Sequence, residues 1–528
     1  AFQKFLSHHE KDSNGQFFTP TPVIDFCVKI LSPKPDEVII DPACGSGGFL
    51  ISALNYFKAN FPDFAISTAV SGNIFGLDIN KSIARIAKMK LLLEANVKTN
   101  VFCLNSLGDL DSLKLSISRA EGFDIVLTNP PFGAKITSST TLTGFALGHK
   151  WSRVNDSLSK TNKPYQSQNA EILFIERCLQ LLKEGGRLAI VLPNGNFENP
   201  SLEYLRQFIR QQAKILAIIN LPSETFIPFG TGVKTSLMFL EKTSNNSSDY
   251  PIFFGRVTKL GYQGNKNGTP LYKKDQYGQL LRDASGLYIF DEDFSEIISA
   301  YQEFTKGCLK DQSNAFVLKY SDLQGRFDFD FYSPETRKMF SAMAKYKTVR
   351  LGDICDIVKV KSSKLKDKSL SIDYVELSDV NTHSYEIINS TTYQMHELPS
   401  RASYEIQEGD VITAIAGNSV GTRKHATALV TKEFAGCICT NGFRVLRNFT
   451  IDPYYFLYFC KSSSFLHQMF MYRTGAAIPN VSDSDLAEIL IYLPSDSEIE
   501  KISHVMKQSF QLREDSKKLV EAIACDFA

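Results

Sequence analysis

No uninterrupted run of about 18 apolar residues occurs in the 528-residue chain, so a membrane span is not expected. Its first residues, Ala1-Phe2-Gln3-Lys4-Phe5, lack the apolar core and small-residue cleavage site of a secretory signal. Charge of one sign is missing too. With 58 Lys and Arg against 57 Asp and Glu, a formal +1, the chain is no bulk polycation, and any polyanion site must be a local patch. The ten cysteines are scattered; only Cys437 and Cys439 lie close, and C-x-C without Cys or His neighbours is no zinc site, so no metal is expected. Scattered thiols in so long a chain point to a reducing cytosol. There is no G-x-x-x-x-G-K-[ST] loop, which excludes an ATP-driven motor of that type, and no nuclease-like grouping of acidic residues with Lys. What is present, 43% hydrophobic and 12% aromatic residues, suffices for ordinary buried cores, and the length suits about two to four domains.

Between residues 21 and 242 short apolar runs alternate with amphipathic segments. Glu37-Val38-Ile39-Ile40, Ile74-Phe75-Gly76-Leu77, Phe123-Asp124-Ile125-Val126-Leu127 and Arg187-Leu188-Ala189-Ile190-Val191-Leu192 read as strands buried on both faces. Residues 83–94 and 170–182 read as helices, the second stopped by Lys183-Glu184-Gly185-Gly186. This alternation predicts an α/β, Rossmann-like, doubly wound and mostly parallel sheet. A polar break, Ser244-Asn245-Asn246-Ser247-Ser248-Asp249, sets the expected division: 1–245, a connecting region over 246–345 with helix near 291–304, and a second, α+β domain over 346–528 ending in a long helix.

Asp41-Pro42-Ala43-Cys44-Gly45-Ser46-Gly47-Gly48-Phe49-Leu50 directly follows the first strand. Glycines at a strand-to-helix turn let the backbone approach a ligand, and the helix start offers free N–H groups. Taken alone the turn fits a dinucleotide fingerprint or merely a tight turn; its spacing is G-x-G-G, and an aspartate precedes it, suited to a cationic ligand. Asp78, ending the next strand, suits ribose hydroxyls or a plain loop cap. Asn129-Pro130-Pro131-Phe132 closes the third strand. Two prolines there stop a strand without any function, yet they also fix a carbonyl beside an Asn amide oxygen, a pair of acceptors for an exocyclic amino group, with an aromatic ring to stack on a base.

Together these pieces resemble the amino-group (N6-adenine) DNA methyltransferases that use S-adenosyl-L-methionine, and more narrowly the modification subunit of type I restriction–modification systems. The matching pieces are Gly15-Gln16-Phe17-Phe18-Thr19-Pro20, residues 41–50, Asp78, Asn105-Ser106-Leu107, residues 129–132 and Gly230-Thr231-Gly232-Val233-Lys234-Thr235, within about 12–242. The resemblance implies that Gln16, Phe17, Phe18 and Thr19 hold the methionine end of the cofactor. Asp41, Ala43 and the turn Gly45, Ser46 and Gly47 would surround its amino group and carboxylate; Asp78 would meet the ribose and Asn105 the adenine ring, where the family often has Asp. It further implies that the Asn129 oxygen and the Pro130 carbonyl localise the N6 lone pair of a flipped-out adenine, with Pro131 stiffening the corner and Phe132 stacking on the base. Cys44 fills space. Type I modification subunits carry a helical domain ahead of the first piece; here 14 residues precede it and the chain opens on Ala1, so an excised or incomplete amino terminus is expected.

Residues 346–495 resemble the target-recognition half of type I specificity subunits, through Gly352-Asp353-Ile354, Glu408-Gly409-Asp410-Val411-Ile412, Gly475-Ala476-Ala477-Ile478-Pro479-Asn480-Val481-Ser482 and Ile489-Leu490-Ile491-Tyr492-Leu493-Pro494. The region 351–528 has 18 Lys and Arg against 23 Asp and Glu, so contact with double-stranded DNA needs a cluster. Lys359, Lys361, Lys364, Lys366 and Lys368 form one. Arg423 and Lys424 are the better candidates, because the stretch Gly417 to Gly421 would let their loop reach into a groove. In the final helix, 497–524, Ile499, Met506 and Val520 recur at heptad spacing with Arg513 interrupting, and Val505, Leu512 and Leu519 form a neighbouring row. Such a helix either packs on its own domain or pairs with a partner, a second copy or the specificity or restriction subunits. The expected function is therefore site-specific adenine-N6 methylation of DNA in the prokaryotic cytosol. The alternatives are a DNA-binding assembly subunit without methylation activity and a protein-glutamine methyltransferase, whose N-P-P-[FY] corner serves amide nitrogens.

Overall fold

The computed structural model describes residues 18–62, 72–95, 99–155, 157–244, 249–367, 369–475 and 478–526. Gln16, Phe17, Lys368, Ala476 and Ala477, all singled out above, lie outside them. Two compact units divide the chain, Ala1–Pro334 and Glu335–Ala528. Among the described residues no helix is long and apolar enough to cross a membrane.

The first unit is built on one sheet. Its strands are β1 (Ile39–Asp41), β2 (Ile74–Asp78), β3 (Asn100–Cys103), β4 (Phe123–Thr128), β5 (Leu182–Pro193), β6 (Ala213–Asn220), β7 (Thr235–Lys242), β8 (Pro251–Arg256) and β9 (Ala315–Lys319), in the order β3-β2-β1-β4-β5-β7-β6-β8-β9. The ladders from β3 through β5 are parallel, and β7 runs antiparallel between β5 and β6. The apolar runs are continuous because both faces are covered: Ile40, Leu77 and Val126 enter one core layer, while Ile39, Ile74, Ile125 and Leu127 enter the other. Helices α1 (Thr21–Leu31), α2 (Gly48–Asn60), α3 (Lys81–Ala95), α4 (Leu110–Ser116), α5 (Ala170–Leu181) and α6 (Glu203–Gln212) supply the cover. The strand order reverses between β1 and β4, and in open α/β sheets ligands bind outside the carboxyl ends at that reversal.

Two expectations are corrected. The glycines after α5 do not stop it: the chain passes into extended backbone at Leu182, and residues 183–186 form a bulge, with Phe123 opposite Leu182 but Ile125 opposite Arg187. Gly185, at φ +75°, makes that bulge. Nor does the sheet end at 245. Strands β8 and β9 extend it, and helix α7 (Phe294–Thr305) sends Phe294 and Ile297 into the same core, so 251–319 adds to the first unit rather than merely linking two.

The second unit is α+β, with a six-stranded and a four-stranded sheet among its described residues. Its terminal helix, Asp496–Asp526, buries Phe510 and packs Ile499, Ile502 and Met506 against the unit's own core. The neighbouring row stays bare: Val505, Leu512 and Leu519 are 56%, 63% and 66% exposed.

Candidate active site

Two cavities, about 870 and 210 Å³, open at the carboxyl ends of β1 and β4 and share Phe18, Ala43, Gly45 and Asn129 as walls. The turn after β1 is pinned by two carboxylates. Asp41, 1% exposed, accepts the Ala43 N–H at 3.0 Å. Asp78, at the end of β2, accepts the Gly45 N–H at 3.0 Å and the Asn80 N–H at 2.7 Å. Burial pushes the Asp41 carboxyl up to about 7, against the pull of the Ala43 N–H, and raises Asp78 as well. Ser46 lines the smaller cavity. Gly47, at φ +84°, lines neither; it backs onto α3, where a Cβ would come within 3.3 Å of the Ala87 Cβ. Cys44 is buried among these groups, and burial holds its thiol far up, so it carries no thiolate.

Asn105 lines the larger cavity, with its amide oxygen accepting the Leu107 N–H at 3.0 Å. The Ser106 hydroxyl donates to the Pro42 carbonyl at 2.5 Å, tying the loop after β3 to the loop after β1.

Asn129 stands where the two cavities meet. Its Nδ2 donates to Thr19 Oγ1 at 2.9 Å, and its Oδ1 is buried without a hydrogen-bond partner among the described residues. An orphaned amide oxygen is costly unless a donor arrives. Pro130, Pro131 and Phe132 continue along the larger cavity, the Phe132 ring meeting Phe226 edge-on at 5.9 Å. Thr19 therefore orients the Asn129 amide, a link between residues 110 positions apart.

Sequence reasoning missed the support behind this corner. Glu171, 3% exposed in the first turn of α5, accepts the Gly133 N–H at 3.2 Å, and the Ala170 N–H donates to the Ala134 carbonyl at 2.8 Å. The readable signal was an acid set directly before the apolar run Ile172-Leu173-Phe174-Ile175. Residues 133–169 form an insertion whose stems, Lys135–Ile136 and Gln168–Asn169, pair at the cavity rim. It holds five Lys and Arg against one Asp. Its hairpin strands, His149–Val154 and Ser157–Pro164, seat the chain's only tryptophan, Trp151, 6.0 Å from the Tyr204 ring, and leave Lys150, Lys160 and Lys163 exposed.

In the second unit Arg423 and Lys424 are exposed on a loop that is held rather than free. A Cβ on Gly421 would lie 2.4 Å from the Phe470 nitrogen, so that glycine serves close docking on the helix Ser463–Met471. Behind the loop, buried His425 accepts the Gly421 N–H at Nδ1 (3.2 Å) and donates from Nε2 to Thr413 (2.9 Å); burial pushes its imidazole down to about 3, keeping it neutral. Of the lysine cluster, Lys364 is committed to Glu405 at 3.0 Å and to the Gly436 carbonyl at 2.9 Å.

Residues 1–281 match the N-6 DNA Methylase family, and residues 343–522 match the type I restriction modification DNA specificity domain. Over 338 residues the chain is 26% identical to the type I restriction enzyme StySPI methylase subunit of Salmonella potsdam, covering 60% of this chain and 59% of that protein. Over 247 residues it is 28% identical to the EcoKI methylase subunit of Escherichia coli (strain K12), covering 45% and 42%. The chain thus spans less than two-thirds of the length of these curated relatives. Among solved structures, a type I restriction-modification system methyltransferase subunit from Streptococcus thermophilus aligns at a TM-score of 0.43 and 21% identity, covering 62% of this chain and 63% of that one. With residues 1–281 of 528 matched, the chain belongs to the N-6 DNA methylase family.

Proposed function

We propose that this chain is a site-specific DNA methyltransferase acting on N6 of an adenine flipped out of the duplex, with S-adenosyl-L-methionine as donor. The observation that carries the reading is Asn129 Oδ1, buried and without a donor among the described residues at the junction of two cavities, its amide set by Thr19. The donor-rich guest it needs is an amino group. The family match and the specificity-domain match favour DNA over a protein glutamine, and give an assembly-only role no support of its own.

The residues present fit the cofactor. Asp41 is positioned for an ammonium group, since a cation would stabilise a carboxylate that burial otherwise holds near neutrality. Phe18, Thr19, Ala43, Gly45 and Ser46 wall the methionine end, Asp78 and Asn105 the nucleoside end. When bound, S-adenosyl-L-methionine supplies an electrophilic methyl group on a sulfonium. The chain's part is to make N6 a nucleophile. Asn129 Oδ1 and the Pro130 carbonyl accept the two amino hydrogens, drawing the lone pair out of conjugation with the ring; Phe132 holds the base plane, and Glu171 fixes the backbone that follows it. Phosphate contacts come from the insertion lysines in the first unit and from Arg423 and Lys424 in the second. The bare row Val505, Leu512 and Leu519 is where a second copy or a specificity or restriction subunit would pair.

Radiolabelled S-adenosyl-L-methionine and duplex DNA carrying the recognised site test this. Label should enter DNA as N6-methyladenine with the wild type and fall by about 10²–10³ with Asn129→Ala. Label in protein, or none anywhere, overturns the reading.

A further inference from the structure

Four cations lie on α3. Lys81, Arg85 and Lys88 are exposed, as solvated helix faces are, but Lys90 is half-buried and lines the smaller cavity. It pairs with no carboxylate among the described residues, and burial alone holds its ammonium below the usual lysine range. A half-withdrawn cation without a partner is unfavourable unless an anion meets it. Its direction follows from packing. Ala87 on α3 abuts Gly47, and Lys90, three residues on, shares that face; helical side chains lean toward the helix start, here back toward the glycine turn. The other side of the same cavity is anionic. Asp41 and Asp25 both line it, Asp25 accepting the Ser52 hydroxyl at 2.6 Å.

We infer that Lys90 grips the carboxylate of the cofactor's amino-acid end, making the smaller cavity a zwitterion site with Asp41 for the ammonium and Lys90 for the carboxylate. The assignment rests on the proposed cofactor and adds a residue that no motif of the resemblance contains. It makes the carboxylate a determinant of which adenosyl sulfonium the protein accepts: a donor lacking that group leaves Lys90 desolvated and unpaired.

Calorimetric titration of the full chain, without DNA, tests this with S-adenosyl-L-methionine and its decarboxylated analogue, which keeps the sulfonium, adenosine and amine. The wild type should favour the carboxylate-bearing ligand by about ten- to a hundredfold, the worth of one charge-assisted contact. Lys90→Met should lose that preference by weakening only the carboxylate-bearing ligand, and Lys90→Arg should restore most of it. Ligand-free melting temperatures of the variants show whether the fold is intact. If Lys90→Met keeps the wild-type preference while the wild type binds and methylates, the inference fails alone. If the wild type binds neither ligand, both the inference and the proposed function fail.

Discussion

Replacing Thr19 by Val separates two roles that the site leaves distinguishable. The substitution preserves shape but removes the oxygen that accepts Asn129 Nδ2 at 2.9 Å. Without that acceptor the amide loses its preference for the rotamer that turns Oδ1 toward the guest, and the reversed rotamer presents N–H donors to an amino group. A single neutral hydrogen bond is worth about 0.5–1.5 kcal/mol, so the catalytic orientation becomes less populated by about two- to twelvefold. Single-turnover methylation should slow by that factor, with the dissociation constant of S-adenosyl-L-methionine within about twofold of wild type. Because Thr19 acts through Asn129, the double variant Thr19→Val/Asn129→Ala should be no slower than Asn129→Ala. A Thr19→Val protein that binds the cofactor weakly yet turns over at the wild-type rate refutes the reasoning and makes Thr19 a plain cofactor contact.

Asp41, with its carboxyl near 7, should make cofactor affinity bell-shaped in pH. The carboxylate must ionise and the ligand's α-amino group, titrating at about 7.7–8.0, must stay protonated, so affinity falls about sixfold from pH 7.4 to 6 and binding below 7 releases a proton; Asp41→Asn should flatten the acid limb in calorimetry. Lys150→Gln/Lys160→Gln/Lys163→Gln should weaken duplex binding for all sequences alike and lower the salt slope by about 2–3, and Trp151 emission should respond to DNA in the wild type, since that residue is the sole indole. Leu512→Glu/Leu519→Glu should abolish self-association or partner capture in sedimentation while changing stability by no more than about 0.5 kcal/mol per site, as both side chains are already bare.

The sheet was readable because a strand buried on both faces leaves a contiguous apolar run, and Asp41, Asp78 and Asn129 were readable because each sits where such a run ends. Strand β8, which lies between β6 and β9, was not: Pro251 opens it, a polar break precedes it, and nothing local distinguishes pairing with β6 from a loop. The same divide runs through the site. Asn129 carried its chemistry in the motif, but the donor that turns its amide comes from residue 19, and no spacing rule predicts a contact set by how α1 docks. Glycines misled in the opposite direction. In sequence, Gly417 and Gly421 read as licence to move; in the fold Gly421 takes φ +71° against a helix backbone that leaves no room for a Cβ, so the glycine is there for contact. Lys90 belongs to the same class of hidden information. A lysine on an amphipathic helix is chemically the same whether it faces water or a cavity, and only the approach of Ala87 to Gly47 gives it a direction. Motifs thus disclose groups whose chemistry demands a particular residue type, whereas groups that matter through their neighbours emerge only once the chain is packed.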